Sequence, residues 1–523
     1  MNHSLSDQPS RITYYVSRLT HYAVRTTPYA LLFLAFFLRV TSISYQSLWR
    51  DEVDAIRFGN DLSTQISGAL TGGSLEGLVS QLRDILTKPG FNGPLYFLML
   101  RGWIGLAGQS EFAVRFLSLI CGVISVALIS VLGTRLFNRS IGLIAGALLT
   151  FSAYHVWYSQ EAKMYTLITL LALTAIYFLR RGVEEGRSRF WIGVVICTSF
   201  AMYAHILAAL LIPVEVALFI VWWPLGRKHI AAGLITLAFL IVPYLPIAQW
   251  QVQLAFTPGE TGFGHFTLGE ILGVLGMAYT RGILNSLSET GGTIASGLAA
   301  ALAVFGLLAS NAIVQQPYRR SSSLILAAWL AIPVLAIYII SINRPVFTDR
   351  YLIWLMPAYY LLIAVGLATS WKWLRPIAMI SLIALLYVGA LGIYTQATTP
   401  YKSDFRSAAQ AIEARVQPGD LIVFQIPYIQ YTFNYYYHQP YQFVPGPYTN
   451  YPGPNDGYQD TAATINLQLD RTFKDRRSVW LVASEMDMWD NRHLLQHWLD
   501  AYGTITYRAD FAQVQVTRYE LRQ

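Results

Sequence analysis

Pro94-Leu95-Tyr96-Phe97-Leu98-Met99-Leu100-Arg101-Gly102-Trp103-Ile104-Gly105-Leu106-Ala107 is an apolar run broken by one arginine. Whether it crosses a membrane decides the topology of everything after it. About 10–14 apolar residues fall short of a bilayer's hydrocarbon core and read as an interfacial or re-entrant helix. The charges farther along the chain then decide. With 94–107 on one side, a first run at about 28–46 is followed by runs at about 112–134, 140–158, 164–180, 190–206, 207–223, 229–249, 294–314, 322–342, 351–370 and 376–395. That makes about eleven spans. The loops carrying Arg135/Arg139, Arg180/Arg181/Arg187/Arg189, Arg227/Lys228, Arg319/Arg320 and Lys372/Arg375 then share one side, as does the segment with Arg11, Arg18 and Arg25. Lysine and arginine concentrate in cytoplasmic loops, so that side is the cytoplasm. If 94–107 crossed, every later basic loop would flip outside. The spacing therefore predicts a long first external loop, 47–111. Residues 250–293, 343–350 and everything after Thr395 are external too.

Composition agrees with a polytopic membrane protein. Of 523 residues, 54% are hydrophobic and 13% charged, and mean hydropathy is +0.41. A soluble domain carries about 25% charged residues. The net charge of +8 would suggest nucleic acid in a soluble protein; here the basic cytoplasmic loops account for it, and no nucleic acid is expected. Cys121 and Cys197 lie inside apolar runs and give no disulfide framework or metal site. No small-residue cleavage site follows the first run, which is therefore not a simple signal peptide. There is no internal repeat.

After Thr395 the pattern changes. Strand-like runs (421–425, 479–483, 513–517) alternate with helix-like ones (404–416, 491–501), with a turn at Pro418-Gly419-Asp420. This predicts a small external α/β domain over 400–523. Before it come a cytoplasmic segment, 1–27, and the all-α membrane domain, 28–399. The aromatic, proline-rich stretch 427–458 reads as an ordered loop.

The residues that stand out chemically fall on the external face. Leu48-Trp49-Arg50-Asp51-Glu52-Val53-Asp54 holds three carboxylates in four residues just after the first span. A carboxylate there can act as a general base or bind a cation; it can also simply cap a surface helix. On a helix Asp51 and Glu52 point about 100° apart and need not share a role. Lys88 precedes the irregular Pro89-Gly90-Phe91-Asn92-Gly93-Pro94 and either snorkels to the interface or meets a phosphate. Glu161 and Lys163 sit at the outer ends of two spans, paired together or facing a shared cavity. His205 lies between two spans with almost no polar connector; such a histidine is more often a packing residue than a catalyst. Arg350-Tyr351 opens a span after Arg344 and Asp349, where arginine reaches headgroups or clamps a lipid phosphate. Carboxylates, a lysine and arginines on one face suit transfer from a membrane-embedded phosphate donor. The cations would hold the leaving phosphate while a carboxylate deprotonates the acceptor. No glycine-rich phosphate loop for a nucleotide is present.

In that order the motifs resemble the GT-C polytopic glycosyltransferases, specifically the family 39/PMT_2 group that includes protein O-mannosyltransferases and the lipid A aminoarabinose transferase. Trp49-Arg50-Asp51-Glu52 resembles the family's Asp-Glu pair after the first span. Gly93-Pro94-Leu95-Tyr96-Phe97 with Arg101 and Trp103 is similar to its Pro-Pro-Leu-Tyr segment, and Glu111 to Ser118 to its Arg-Leu-Pro-Ser entry. Trp157-Tyr158-Ser159-Gln160-Glu161-Ala162-Lys163-Met164-Tyr165 looks like its Ser-Gln-Glu-Ala-Arg-x-Tyr. Arg350-Tyr351-Leu352 with Pro357 resembles its Arg-Tyr-Leu. The likeness covers about 30–370. Asn92-Gly93-Pro94 departs from the usual His-Pro-Pro, and Lys163 from the usual arginine.

The resemblance implies an inverting glycosyltransferase in a plasma membrane, by analogy the bacterial inner membrane. Asp51 would be the base and Glu52 would orient a substrate. Lys88, Arg115 and Arg350 would be candidates for the polyprenyl-phosphate end, Glu161 and Lys163 would shape the cavity, and His205 and Tyr351 would join the donor-phosphate and substrate-binding set. The donor would be a polyprenyl-phosphate-linked sugar and the acceptor a lipid, glycan or protein. No cofactor is obligatory in such a family; a divalent cation near Asp51 and Glu52 stays open. Alternatives are a lipid-linked glycan ligase or polymerase using a diphosphate donor, a transporter or flippase, or a sensory protein whose tail binds a ligand. Transporters favour repeated halves with sites at the midplane, which this chain lacks.

Overall fold

The computed structural model describes residues 27–71, 76, 77, 80, 93–256, 263–313, 322–453 and 457–522. The chain divides into two compact units. The first comprises Met1–Thr41, Ala69–Tyr96 and Arg115–Thr395; the second comprises Ser42–Gly68, Phe97–Val114 and Gln396–Gln523. The tail therefore does not stand alone: pieces of the chain on either side of residues 69–96, from the predicted first loop, belong to its unit.

The first unit is helical. Among the described residues, seven helices are long and apolar enough to cross a membrane: Glu111–Leu136, Tyr165–Glu185, Trp223–Leu245, Glu289–Ala309, Leu324–Asn343, Asp349–Trp373 and Arg375–Thr398. A pair bent by 63°, Arg139–Thr150 and Ala153–Ser159, makes eight if taken as one span. The chain is an integral, multi-pass membrane protein. The predicted spans at 28–46, 190–206 and 207–223 form the shorter apolar helices Thr27–Val40, Ser188–Ala204 and Ile206–Val221. The first stops short because the chain turns at Ser42, whose φ is 61°. The other two are parted by extended backbone at His205 (φ −153°, ψ 126°).

Asp349–Trp373 lies at the centre of this unit, 89% of its apolar window being buried, whereas Trp223–Leu245 is only 11% buried. Leu234, Phe239, Val242 and Leu245 on the latter point outward, which lipid tolerates as water would not. Gly306 and Gly366 let two helices touch backbone to backbone. A Cβ on Gly306 would lie 2.1 Å from the Leu362 carbonyl oxygen, and one on Gly366 would lie 2.1 Å from that of Leu302. Small residues at such crossings supply close packing where no hydrophobic drive separates helix from lipid.

The predicted loop 250–293 contains a further helix, Leu268–Arg281. Its start is a full capping box: the Thr267 hydroxyl accepts from the Glu270 amide, and the Glu270 carboxylate accepts from the Thr267 amide.

The second unit is built on a five-stranded sheet ordered β2-β1-β3-β5-β4, with β1 Leu421–Phe424, β2 Gln442–Pro445, β3 Ser478–Ala483, β4 Gly503–Phe511 and β5 Val514–Leu521. β1 runs parallel to β2 and β3, and β5 runs antiparallel to β3 and β4. β1 and β3 are buried at every position, as strands covered on both faces must be. One face, through Ile422, Phe424, Trp480 and Val516, packs on Phe405, Ile412 and Phe433. The other, through Leu421, Val423, Val479 and Leu481, packs on Ile465, Leu469, Leu495 and Leu499. The α/β prediction for the tail thus holds in kind. The stretch 427–458 is more regular than predicted: it forms the helix Ile429–Tyr436, with Ile429 and Phe433 one turn apart and buried, and then β2. The stretch after the first apolar helix contributes Arg50–Thr71, whose Glu52, Val53, Ala55, Ile56 and Leu62 are buried.

Candidate active site

In the second unit, the Trp49 carbonyl accepts from the amides of Glu52 (3.1 Å) and Val53 (3.2 Å), starting the helix Arg50–Thr71. Asp51 and Glu52 fall in its first turn, where backbone dipoles favour negative charge. The two acids then part ways. Glu52 is fully buried and accepts from Lys402 Nζ at 2.9 Å; Lys402 is buried as well, with its ammonium 5.4 Å from the centre of the Trp49 ring. Asp51, about 100° round the helix, keeps partial solvent exposure. Asp54 is a surface partner of Arg57 (2.9 Å) and Arg50 (3.7 Å). Sequence reasoning missed Lys402; its only signal is that it is the first cation after the last span.

In the first unit, Glu161 and Lys163 sit in the turn joining the helices Ala153–Ser159 and Tyr165–Glu185, and both are buried. The Lys163 amide donates to the Glu161 carbonyl (2.7 Å), and the rings of Tyr158 and Tyr165 meet edge to face at 4.8 Å. His205 caps the single-turn helix Ile206–Leu210, its Nδ1 accepting from the Leu207 amide (3.3 Å). Its Nε2 is buried with no hydrogen-bond partner among the described residues. The His205 ring lies 4.5 Å from that of Tyr351, within the irregular helix Asp349–Leu355. Arg350 and Lys163 are the charges that act on His205. Irregular backbone at membrane depth is tolerated where protein encloses it or it lines a cavity. Here two such segments, at 205–210 and 349–355, face each other.

The motifs that are scattered in sequence meet here. The Gly93 amide donates to the Ala204 carbonyl (3.1 Å), and a Cβ on Gly93 would lie 1.9 Å from the Tyr203 carbonyl oxygen. Only glycine permits that approach. Tyr96 Oη and Ser118 Oγ share a hydrogen bond (2.7 Å), Ser118 Oγ donates to the Lys163 carbonyl (2.9 Å), and Thr166 Oγ1 donates to the Ser118 carbonyl (2.8 Å). Arg115, buried, lies one turn before Ser118 on the helix Glu111–Leu136. Of the residues singled out, Lys163, His205, Arg350 and Tyr351 are brought together, with Glu161 on the same turn as Lys163. Asp51 and Glu52 belong to the other unit, and Lys88 lies outside the described residues. Among the described residues no three His, Cys, Asp or Glu side chains converge as metal ligands.

Residues 88–250 match the family described as dolichyl-phosphate-mannose-protein mannosyltransferase (PMT_2). No curated protein matches the sequence at a significant level. Among solved structures, the chain is similar to ArnT from Cupriavidus metallidurans bound to undecaprenyl phosphate, with a TM-score of 0.57, 13% identity, and 94% of this chain and 97% of that one covered. It is also similar to the archaeal oligosaccharyltransferase AglB from Archaeoglobus fulgidus in complex with an inhibitory peptide and a dolichol-phosphate, with a TM-score of 0.53, 10% identity, and 96% and 75% covered. The chain therefore has the GT-C fold of the polytopic membrane glycosyltransferases and carries, over 88–250, a segment matching the PMT_2 family.

Proposed function

We propose that the protein is an inverting glycosyltransferase that moves a sugar from a polyprenyl-phosphate donor to an acceptor on the external face of the membrane. The observation that carries this reading is the cluster of buried Lys163, His205 and Tyr351 with the half-buried Arg350, assembled inside a GT-C fold from three distant parts of the chain. Cations enclosed by protein suit a phosphate: charge-assisted hydrogen bonds are about twice as strong as neutral ones, and arginine adds a bidentate fork. The structural relatives solved with undecaprenyl phosphate and dolichol-phosphate support a lipid phosphate as the ligand.

In this reading, the acceptor oxygen attacks the anomeric carbon as the bond from that carbon to the phosphate oxygen breaks. Asp51 takes the acceptor proton, and Lys163, Arg350 and Arg115 stabilise the departing lipid phosphate. Glu52 is the poorer base because Lys402 holds its carboxylate. A lipid-linked glycan ligase would use the same base with a diphosphate donor, and comparing mono- and diphosphate lipids in one assay separates the two. Removing a general base costs about 10²–10⁴-fold. Asp51→Asn should therefore be expressed and inserted normally while the product, read by mass spectrometry of envelope lipids and glycoproteins in a deletion strain, falls by at least about a hundredfold. Normal transfer by that variant would refute the assignment.

A further inference from the structure

Residues 47–49, which lead into the helix bearing Asp51, have no regular secondary structure, yet Ser47 and Leu48 are buried. The C-terminal part of the same unit supplies their hydrogen bonds. Tyr436 Oη accepts from the Leu48 amide (2.6 Å) and from Ser47 Oγ (3.2 Å), and donates its own proton to Glu111. Burial, and then the Glu111 charge, push the Tyr436 phenol well above its ordinary value, so its proton stays on. Gln46 Nε2 donates to the carbonyls of Gln396 (3.1 Å) and Thr399 (2.8 Å), while its Oε1 accepts from the amides of Tyr401 (3.0 Å) and Lys402 (3.2 Å). Arg406 Nη2 donates to the Ser44 carbonyl (3.0 Å).

Beyond Asp51 the grip continues. Lys402 holds Glu52 at 2.9 Å. The Arg50 guanidinium lies over the Tyr428 ring at 3.7 Å and that of Arg57 over the Tyr431 ring at 3.3 Å. The residues flanking Asp51 on both sides are therefore fixed by the tail, while Asp51 itself keeps solvent access.

From this juxtaposition we propose that Tyr436 and Lys402 are positioning residues of the transfer reaction: they clamp Leu48 and Glu52, and so aim Asp51. The proposal rests on Asp51 being the base. A catalytic group must be held within about 0.5 Å of its productive geometry, and a helix's first turn frays unless its ends are fixed. The tail is then a working part of the catalytic machinery.

The test uses the full chain with two variants. One is Tyr436→Phe. The other combines Lys402→Met with Glu52→Gln, so that no buried charge is stranded. Amide hydrogen exchange over 46–56 should rise about tenfold in each, and envelope product in the deletion strain should fall about tenfold. Affinity for undecaprenyl phosphate should stay within about twofold and the thermal midpoint within a few degrees. Wild-type exchange and product in both variants would overturn the proposal. So would product, lipid affinity and thermal midpoint all falling together, which marks a merely structural role. Asp51→Asn, run alongside, separates the two readings. If it is inactive while Tyr436→Phe transfers normally, only the clamp fails; if it transfers normally, the base assignment fails.

Discussion

Arg39 shows how much one side chain can hold. It is fully buried on the helix Thr27–Val40. Its guanidinium donates to the carbonyls of Ala35 (3.0 Å), Leu149 (3.0 Å) and Thr150 (3.4 Å), to Ser159 Oγ (3.2 Å) and to His155 Nδ1 (3.0 Å). Leu149 and Thr150 end the first half of the bent pair, where the last carbonyls of a helix lack intrahelical partners; arginine supplies them. The unsatisfied alternative costs about 1–3 kcal/mol per buried group. Arg39→Met should lower stability in detergent by about 3 kcal/mol or more, and Arg39→Lys should recover part of it, lysine having three donors where arginine has five. Thermal unfolding of the two variants checks this; an unchanged midpoint for Arg39→Met sinks it. None of this was legible in the sequence, where Arg39 sits alone in an apolar run and its partners beyond its own helix lie 110 or more positions away. The same distance hid the fate of Glu52, whose partner is 350 residues on. Lys163, His205 and Arg350 were legible because scarce charge in an apolar chain draws the eye to each of them.

Elements were legible where periodicity or capping chemistry is local. The membrane-length runs and strands β1 and β3 stand in the sequence as continuous apolar segments, and β5 as a run of alternating ones. The break after Thr150 does not: it carries neither proline nor glycine, and its one local signal is Ser152, whose hydroxyl caps the next helix at the His155 amide (3.1 Å). β2 was hidden among prolines because its pairing, with β1, is nonlocal. In the sheet, Asp420 is the polar knot. It accepts from the Gln417 amide (3.0 Å), Ser478 Oγ, Trp480 Nε1 (2.9 Å) and Arg518 Nε (3.2 Å), tying the turn before β1 to β3 and β5. Burial alone would raise its carboxyl, but the hydrogen bonds, led by that of Arg518, hold it below the ordinary value. A carboxyl with a folded pKa below its unfolded value of about 3.9 adds stability above that pH and loses it as pH falls through the folded value. Wild type should therefore exceed Asp420→Asn in unfolding midpoint at neutral pH, and the gap should narrow as pH drops below about 4. A gap independent of pH would show that shape, not charge, holds the knot.

At the scale of the molecule the open quantity is sidedness. The structure brings arginines of two predicted cytoplasmic loops together with acids: Arg180 with Glu184 (2.7 Å), Arg181 with Glu185, and Arg135 with both acids. The two glutamates offset part of the positive charge there. The tendency that orients membrane proteins counts lysine and arginine and gives aspartate and glutamate little weight. These pairs therefore leave the argument intact, and the rule predicts a cytoplasmic loop at 186–189, with exposed Arg187 and Arg189. The tail follows the last membrane-length helix, Arg375–Thr398, whose Lys372/Arg375 end is basic. The charge rule therefore predicts the tail outside, and with it Asp51, which shares the tail's unit. Two exposed positions decide the matter: Ser188 and Asp487. The native cysteines, Cys121 and Cys197, are buried and give little background. With a membrane-impermeant maleimide on intact cells, Asp487→Cys should label and Ser188→Cys should stay dark until the membrane is permeabilised. The reverse pattern would move Asp51 to the cytoplasm, where a lipid-phosphate donor presented from outside would not reach it, and the proposed chemistry would fall with the topology.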